Sequence, residues 1–214
     1  MGRISQAGSQ HVRKRDRYAI WLFVSFMVFW IWLAISPVSR PDWLLENVLV
    51  LAVIPVLACY WYQGSISRLA WGGVFLFLIF HTVGAHYTYS KVPYDLWGQI
   101  LFGFSLDQFL GFNRNQYDRW VHFLYGLLLL PLITEVIGRS YPQNTFLNRC
   151  IPVLIILSHA ALYELVEWLA AITLSSELGQ TYLGSQGDIW DAQKDMVLAL
   201  VGALVASSLG GLQL

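Results

Sequence analysis

The chain has 214 residues, of which 57% are hydrophobic, 15% aromatic and only 12% charged. Soluble domains carry about 25% charged residues, and ten Trp exceed what one aqueous core needs, so lipid is the main solvent of this chain. The balance excludes disorder and collagen-like repeats. Two Cys exclude a disulfide scaffold, and thirteen basic against thirteen acidic residues exclude a basic nucleic-acid surface.

A bilayer core of about 30 Å takes roughly 20 apolar residues per helix. Six stretches meet that length: Tyr18–Ser36, Trp43–Tyr62, Leu69–Tyr89, Arg119–Gly138, Cys150–Leu174 and Asp191–Leu212. They are solid apolar runs without period-two alternation, so a β-barrel is excluded and an all-α polytopic membrane protein follows. The expected organisation is a basic tail over residues 1–17 and one six-helix transmembrane domain over residues 18–214. The first run follows Arg13, Lys14 and Arg15 but exceeds a signal-peptide core and has no small-x-small site before Pro37, so it reads as an uncleaved first helix. Turns are expected at Ser36 to Pro41, Gln63 to Ser65 and Ser140 to Asn144.

Lys and Arg placement sets the expected orientation. With the amino terminus inside, Arg3, Arg13, Lys14, Arg15, Arg17, Arg68, Arg139 and Arg149 are cytoplasmic. Arg40, Lys91, Arg114, Arg119 and Lys194 are outside. Six spans then leave both termini in the cytoplasm, with Cys59 and Cys150 near the inner face, where thiols stay reduced.

Ionisable groups inside a membrane are costly and mark function. Here they share one depth. The third helix ends outward with His81 and His86, and the fourth begins there with Asp118 and His122. The fifth runs outward through Glu164 and Glu167, and the sixth starts there with Asp188, Asp191 and Asp195. Asp118 and His122 stand four apart, on one helix face, as do Asp191 and Asp195. His81 and His86 are five apart and share a face only if Gly84 loosens the helix. So many carboxylates need a cation or protons to balance them. A mixed His and carboxylate set suits Zn, Mn or non-haem Fe. His159, beside Ser158, fits a cross-bundle hydrogen bond; Asp188 also fits a helix cap, and Glu135, at the inner end of the fourth helix, a solvated residue.

Between helices three and four, the apolar stretch from Trp97 to Phe104 is too short to span, so an interfacial or re-entrant segment is expected to roof the cluster. Asn113 to Arg119 follows it, dense in hydrogen-bond donors. Arg114, Arg119 and Lys91, with Tyr87, can grip an anionic head group; equally, the cations can neutralise the nearby acids.

The strings from His81 to Tyr89, Phe112 to Phe123 and Glu164 to Trp168 resemble the bacterial inner-membrane YjdF family. The resemblance implies an inner-membrane location and a helical membrane fold, and it carries no catalytic residues across. Asp188, Asp191 and Asp195 have a rhythm like part of the CDP-alcohol phosphotransferase motif without its glycine or Ala-Arg pair. No His-Glu-x-x-His or Gly-x-Ser-x-Gly is present.

The residues therefore predict a divalent metal held by His81, His86, Asp118 and His122, with Asp188, Asp191 and Asp195 as further ligands. Glu164 or Glu167 is the expected base for water. The expected activity is metal-dependent hydrolysis of a membrane lipid or lipid-linked substrate. A cation- or proton-coupled transporter, or a structural membrane subunit, is the alternative.

Overall fold

A computed structural model describes residues 2–62, 66–140, 145–173 and 185–210. These form α1 (Gly2–Leu33), α2 (Arg40–Tyr62), α3 (Arg68–His86), α4 (Tyr94–Phe102), α5 (Leu106–Leu110), α6 (Tyr117–Ser140), α7 (Thr145–Thr173) and α8 (Asp191–Gly210). Five helices, α2, α3, α6, α7 and α8, are long and apolar enough to cross a membrane, and the apolar part of α1, Arg17–Leu33, is shorter. Such helices satisfy their backbone hydrogen bonds internally, as a lipid solvent demands. They turn large apolar side chains outward, among them Trp21, Leu51, Leu162 and Leu209. The fold is an all-α polytopic membrane bundle. The expected turns at Gln63 to Ser65 and Tyr141 to Asn144, Leu174, and the last residues of the sixth segment lie outside the described residues.

Helix α6 is the centre of the bundle, because small residues let its neighbours approach backbone to backbone. A Cβ on Gly126 would stand 1.9 Å from the Ala199 carbonyl oxygen of α8, and one on Gly202 would stand 2.0 Å from that of Phe123. These contacts fix the register of α6 against α8. Below them Leu130, Ile156, Ala160, Ala199 and Ala203 form a dry apolar core.

Helix α2 starts earlier than the apolar run implied, at Arg40, with Pro41 tolerated in its first turn. The Ser39 hydroxyl accepts from the Asp42 amide at 3.4 Å. Helix α3 stops at His86, where Thr88 and Tyr89 take left-handed conformations, φ 54° and 50°. The Tyr89 amide bonds back to the Gly84 carbonyl at 2.8 Å. Gly84 is required here because a Cβ would lie 2.6 Å from the Tyr89 ring. Its role is thus to seat a returning ring, and the helix is not loosened between His81 and His86.

The connection between α3 and α6 folds as two short helices, α4 of 9 residues and α5 of 5, each ended by a left-handed glycine, Gly103 and Gly111. Ile100, Leu101, Phe102 and Phe109 are exposed along it. The Tyr94 hydroxyl donates to Asp107 at 2.6 Å and accepts from the Gln116 amide at 2.9 Å, tying this layer to the start of α6. Burial, then the bond to Asp107, raise the Tyr94 phenol above its ordinary range.

Glu135 is not merely solvated: at the far end of α6 its carboxylate accepts from the Ser67 amide at 2.8 Å, and so supports the start of α3. Both cysteines are free.

Candidate metal centre

Three helices contribute the core of the site through residues spaced one turn apart. On α6, Asp118, His122, Gly126 and Leu130 form a stripe at every fourth position; on α8, Asp191, Asp195, Ala199 and Ala203 do the same. The glycine crossing packs the small ends of these stripes, which brings their polar ends together. Ile156, Ala160 and Glu164 make the matching stripe on α7.

One ligand atom each from Asp118, His122 and Asp195 lies within 4.8 Å of the others, in a group that can hold a metal ion. His122 Nε2 is 3.6 Å from Asp118 Oδ1 and 3.4 Å from Glu164 Oε1. Ligand atoms around a tetrahedral ion with bonds of about 2.1 Å stand roughly 3.4 Å apart, so this spacing fits a shared cation better than direct hydrogen bonds. Glu164 Oε1 and Asp195 Oδ1 are buried with no hydrogen-bond partner among the described residues. Orphaned acceptors of this kind are expensive unless a cation or proton meets them. The donor set fits a divalent ion.

A second row of acids adjoins this group. Glu46 and Asp42, on the first turns of α2, are buried at 5% and 2% exposure. The Tyr163 hydroxyl donates to Glu46 Oε2 at 3.0 Å, and the Tyr163 ring meets that of His122 edge-on at 5.8 Å. Glu167, also buried, lies one turn from Glu164 on the same face. Sequence reasoning missed Asp42, Glu46 and Tyr163. The depth rule applied to helices three to six reaches the acids too, since α2 begins at the end of the bundle where α3 finishes: the Val38 amide bonds the His86 carbonyl at 2.9 Å.

The structure does not bring His81 and His86 into the ligand group. His81 Nε2 donates to the Glu46 carbonyl at 3.3 Å, and Nδ1 accepts from the Tyr89 hydroxyl at 2.5 Å, so both ring nitrogens are engaged. His86 Nδ1 donates to the Leu33 carbonyl at 2.7 Å, tying α3 to the end of α1. Tyr87 packs edge-on against His86 and Trp97, and Lys91 is exposed. Among the remaining sequence candidates, His159 pairs with the Tyr125 hydroxyl at 3.0 Å, across the bundle.

Arg114 and Arg119 neutralise acids. Arg114 reaches Asp191 at 2.6 Å and the Ser185 carbonyl at 2.7 Å. Arg119 pairs with Asp188, and with Asp191 at 3.2 Å, while Lys194 binds Asp188 at 2.5 Å. Asp188 also caps α8, accepting from the Trp190 amide at 3.0 Å. The Lys194 bond first, then the Trp190 amide and Arg119, hold its carboxyl well below the usual range. Asp188 and Asp191 therefore form an ion-paired rim over the group, while Asp195 belongs to the group itself.

A multi-pass helical bundle with a buried His and carboxylate group at one end defines a class, the polytopic membrane protein with an intramembrane polar centre. Residues 18–214 match the family described as predicted membrane protein (DUF2238), and the chain belongs to that family. It is 34% identical over 175 residues to the inner membrane protein YjdF of Escherichia coli (strain K12), which covers 81% of this chain and 79% of that protein. No solved structure matches. The relationship and the apolar helices make this a multi-pass inner-membrane protein.

Proposed function

We propose that the Asp118, His122 and Asp195 group is the divalent-metal centre of a membrane-embedded hydrolase acting on a lipid or lipid-linked ester or phosphoester. The observation that carries this reading is the trio of ligand atoms within 4.8 Å, flanked by Glu164 Oε1, which is buried without a hydrogen bond among the described residues. A bound divalent ion supplies Lewis-acid polarisation of the scissile group. Glu164, with Glu167 beside it, takes the proton from the attacking water. The new bond forms at the carbonyl carbon or phosphorus, the bond to the leaving oxygen breaks, and that oxygen receives the proton.

Substrate access has a matching feature. A groove lined by Arg119, Trp190, Gln193, Lys194, Val197 and Leu198 runs along α8 beside the rim. Its apolar wall suits a lipid tail, and its two cations suit an anionic head group that exchanges with Asp188. The carrier reading has less support, because the dry core of Leu130, Ile156 and Ala203 stands where a polar route to the other end would run.

The test is elemental analysis of purified protein, followed by chelation, metal restoration and assay on lipid esters and phosphoesters. The reading expects stoichiometric metal, lost in His122→Ala and Asp195→Asn, and activity that tracks it. Metal absent from the wild type, or present and unchanged in both variants, would overturn it.

A further inference from the structure

At the opposite end of the bundle, a cleft of about 270 Å³ opens between α1, α2 and α3. Ala19, Phe26, Leu57, Ala58 and Trp61 are among its apolar lining. One polar atom breaks that pattern: the Trp61 indole Nε1 is buried with no acceptor among the described residues. Indoles at a membrane interface ordinarily find one, so this donor points to a missing partner.

Cations stand at the same level. Arg68, the first residue of α3, lies one turn before Trp71 of the lining, with its guanidinium 5.7 Å from the Tyr18 ring centroid. Arg17 precedes Tyr18 and is exposed. Tyr18 itself seats on α3, its hydroxyl 3.2 Å from where a Gly72 side chain would begin. An apolar slot, an orphan N–H donor and a pair of cations thus succeed one another toward the helix ends.

We propose that this cleft binds one anionic membrane phospholipid. An acyl chain fills the slot, an ester carbonyl accepts from Trp61 Nε1, and the phosphate lies against Arg68 and Arg17. The orphan donor selects this occupant over a partner helix: a helix in lipid spends its backbone carbonyls on its own hydrogen bonds, whereas an ester carbonyl is free to accept. Charge selects the head group, since juxtamembrane cations favour anionic lipids. The site is independent of the metal centre.

Full-length protein, stripped of lipid and exchanged into mixed phosphatidylglycerol and phosphatidylcholine vesicles, is analysed by native mass spectrometry after detergent extraction. The expected result is one retained phosphatidylglycerol per chain, enriched over the vesicle ratio. Ala58→Trp, which fills the slot, should abolish retention. Arg68→Gln, an exposed change that spares the fold, should cut the head-group preference about fivefold. Lipid retained in the vesicle ratio by the wild type overturns the proposal, as does undiminished preference in Arg68→Gln. A wild-type dimer that Ala58→Trp makes monomeric also overturns it, by assigning the cleft to a second copy.

Discussion

His122 Nε2 stands 3.4 Å from Glu164 Oε1, and that oxygen is buried without a hydrogen bond among the described residues. Two groups that could have closed to a good hydrogen bond are instead held apart, which leaves this carboxylate oxygen beside the Asp118, His122 and Asp195 group able to accept a proton. The helix packing maintains the gap, since the glycine crossing fixes α6 and the stripe on α7 fixes Glu164.

The first prediction separates ligands from supports. His122→Ala should strip a bound metal, whereas His86→Ala, which removes a tie to the Leu33 carbonyl, should leave metal content unchanged. Tyr163→Phe, which frees Glu46 beside His122, should weaken affinity about 10–100-fold. Competition with a metallochromic indicator measures all three.

A second prediction concerns register. Gly126→Ala puts a methyl carbon 1.9 Å from the Ala199 carbonyl oxygen, and neither backbone can yield cheaply. Overpacking of this kind costs about 1–3 kcal/mol. The variant should also lose metal, though it changes no ligand, because separating α6 from α8 draws Asp118 away from Asp195. Retained metal together with an unchanged melting temperature would count against the crossing as the device that assembles the site.

The rim gives a pH prediction. The Asp188 carboxyl is held below its ordinary value of 3.8 by Lys194, the Trp190 amide and Arg119. A depressed carboxylate stabilises the fold at pH values above that ordinary value, and the contribution fades as pH falls below it. Melting temperature in detergent should therefore drop on the acid side of pH 4. Asp188→Asn should lower it at neutral pH and flatten that acid slope; equal slopes in the two proteins would dismiss the clamp.

Removal of Arg114 should be destabilising. It makes the shorter of the two ion pairs to Asp191, whose side chain is 8% exposed, and because Arg119 remains at 3.2 Å the cost should stay below the about 3–5 kcal/mol of a buried acid left wholly unpaired. Arg114→Ala should unfold at lower temperature, and the double variant with Asp191→Asn should recover part of the loss. A thermal-shift double-mutant cycle reads the coupling.

Orientation is a separate expectation, resting on the Arg13, Lys14, Arg15 and Arg17 cluster. A reporter fused after Leu214 should be cytoplasmic, and one inserted near Leu106 periplasmic. Inversion moves both signals, whereas a miscounted span after α5 moves only the first.

The helices and the end of the bundle at which the acids gather were legible in the sequence, because apolar length and alternating helix direction are one-dimensional quantities. The candidate site was legible in part. Asp118, His122 and Asp195 announce themselves by four-residue spacing, whereas residues five apart, His81 and His86, are turned by about 140° around a regular helix. That rotation sends His81 toward Glu46 and His86 toward Leu33. Glu46 was within reach of the same spacing logic, four residues after Asp42, but it lies where the apolar run had barely begun. The crossing at Gly126 and Gly202 leaves no such trace, since a glycine at a contact reads like any other glycine in a helix.

The place of Asp195 on α8 makes the centre sensitive to the order of synthesis. Helices α6 and α7 emerge first and carry Asp118, His122, Glu164 and Glu167, with an uncovered glycine face at Gly126. Until α8 inserts, those acids lack Asp195, the third member of the buried group, and Arg114 and Arg119 lack Asp191. A nascent chain paused before α8 would hold unbalanced charge in lipid, the condition that membrane quality control removes. Completion of the Asp118, His122 and Asp195 group and completion of the fold are then one event, timed by the last of the described helices.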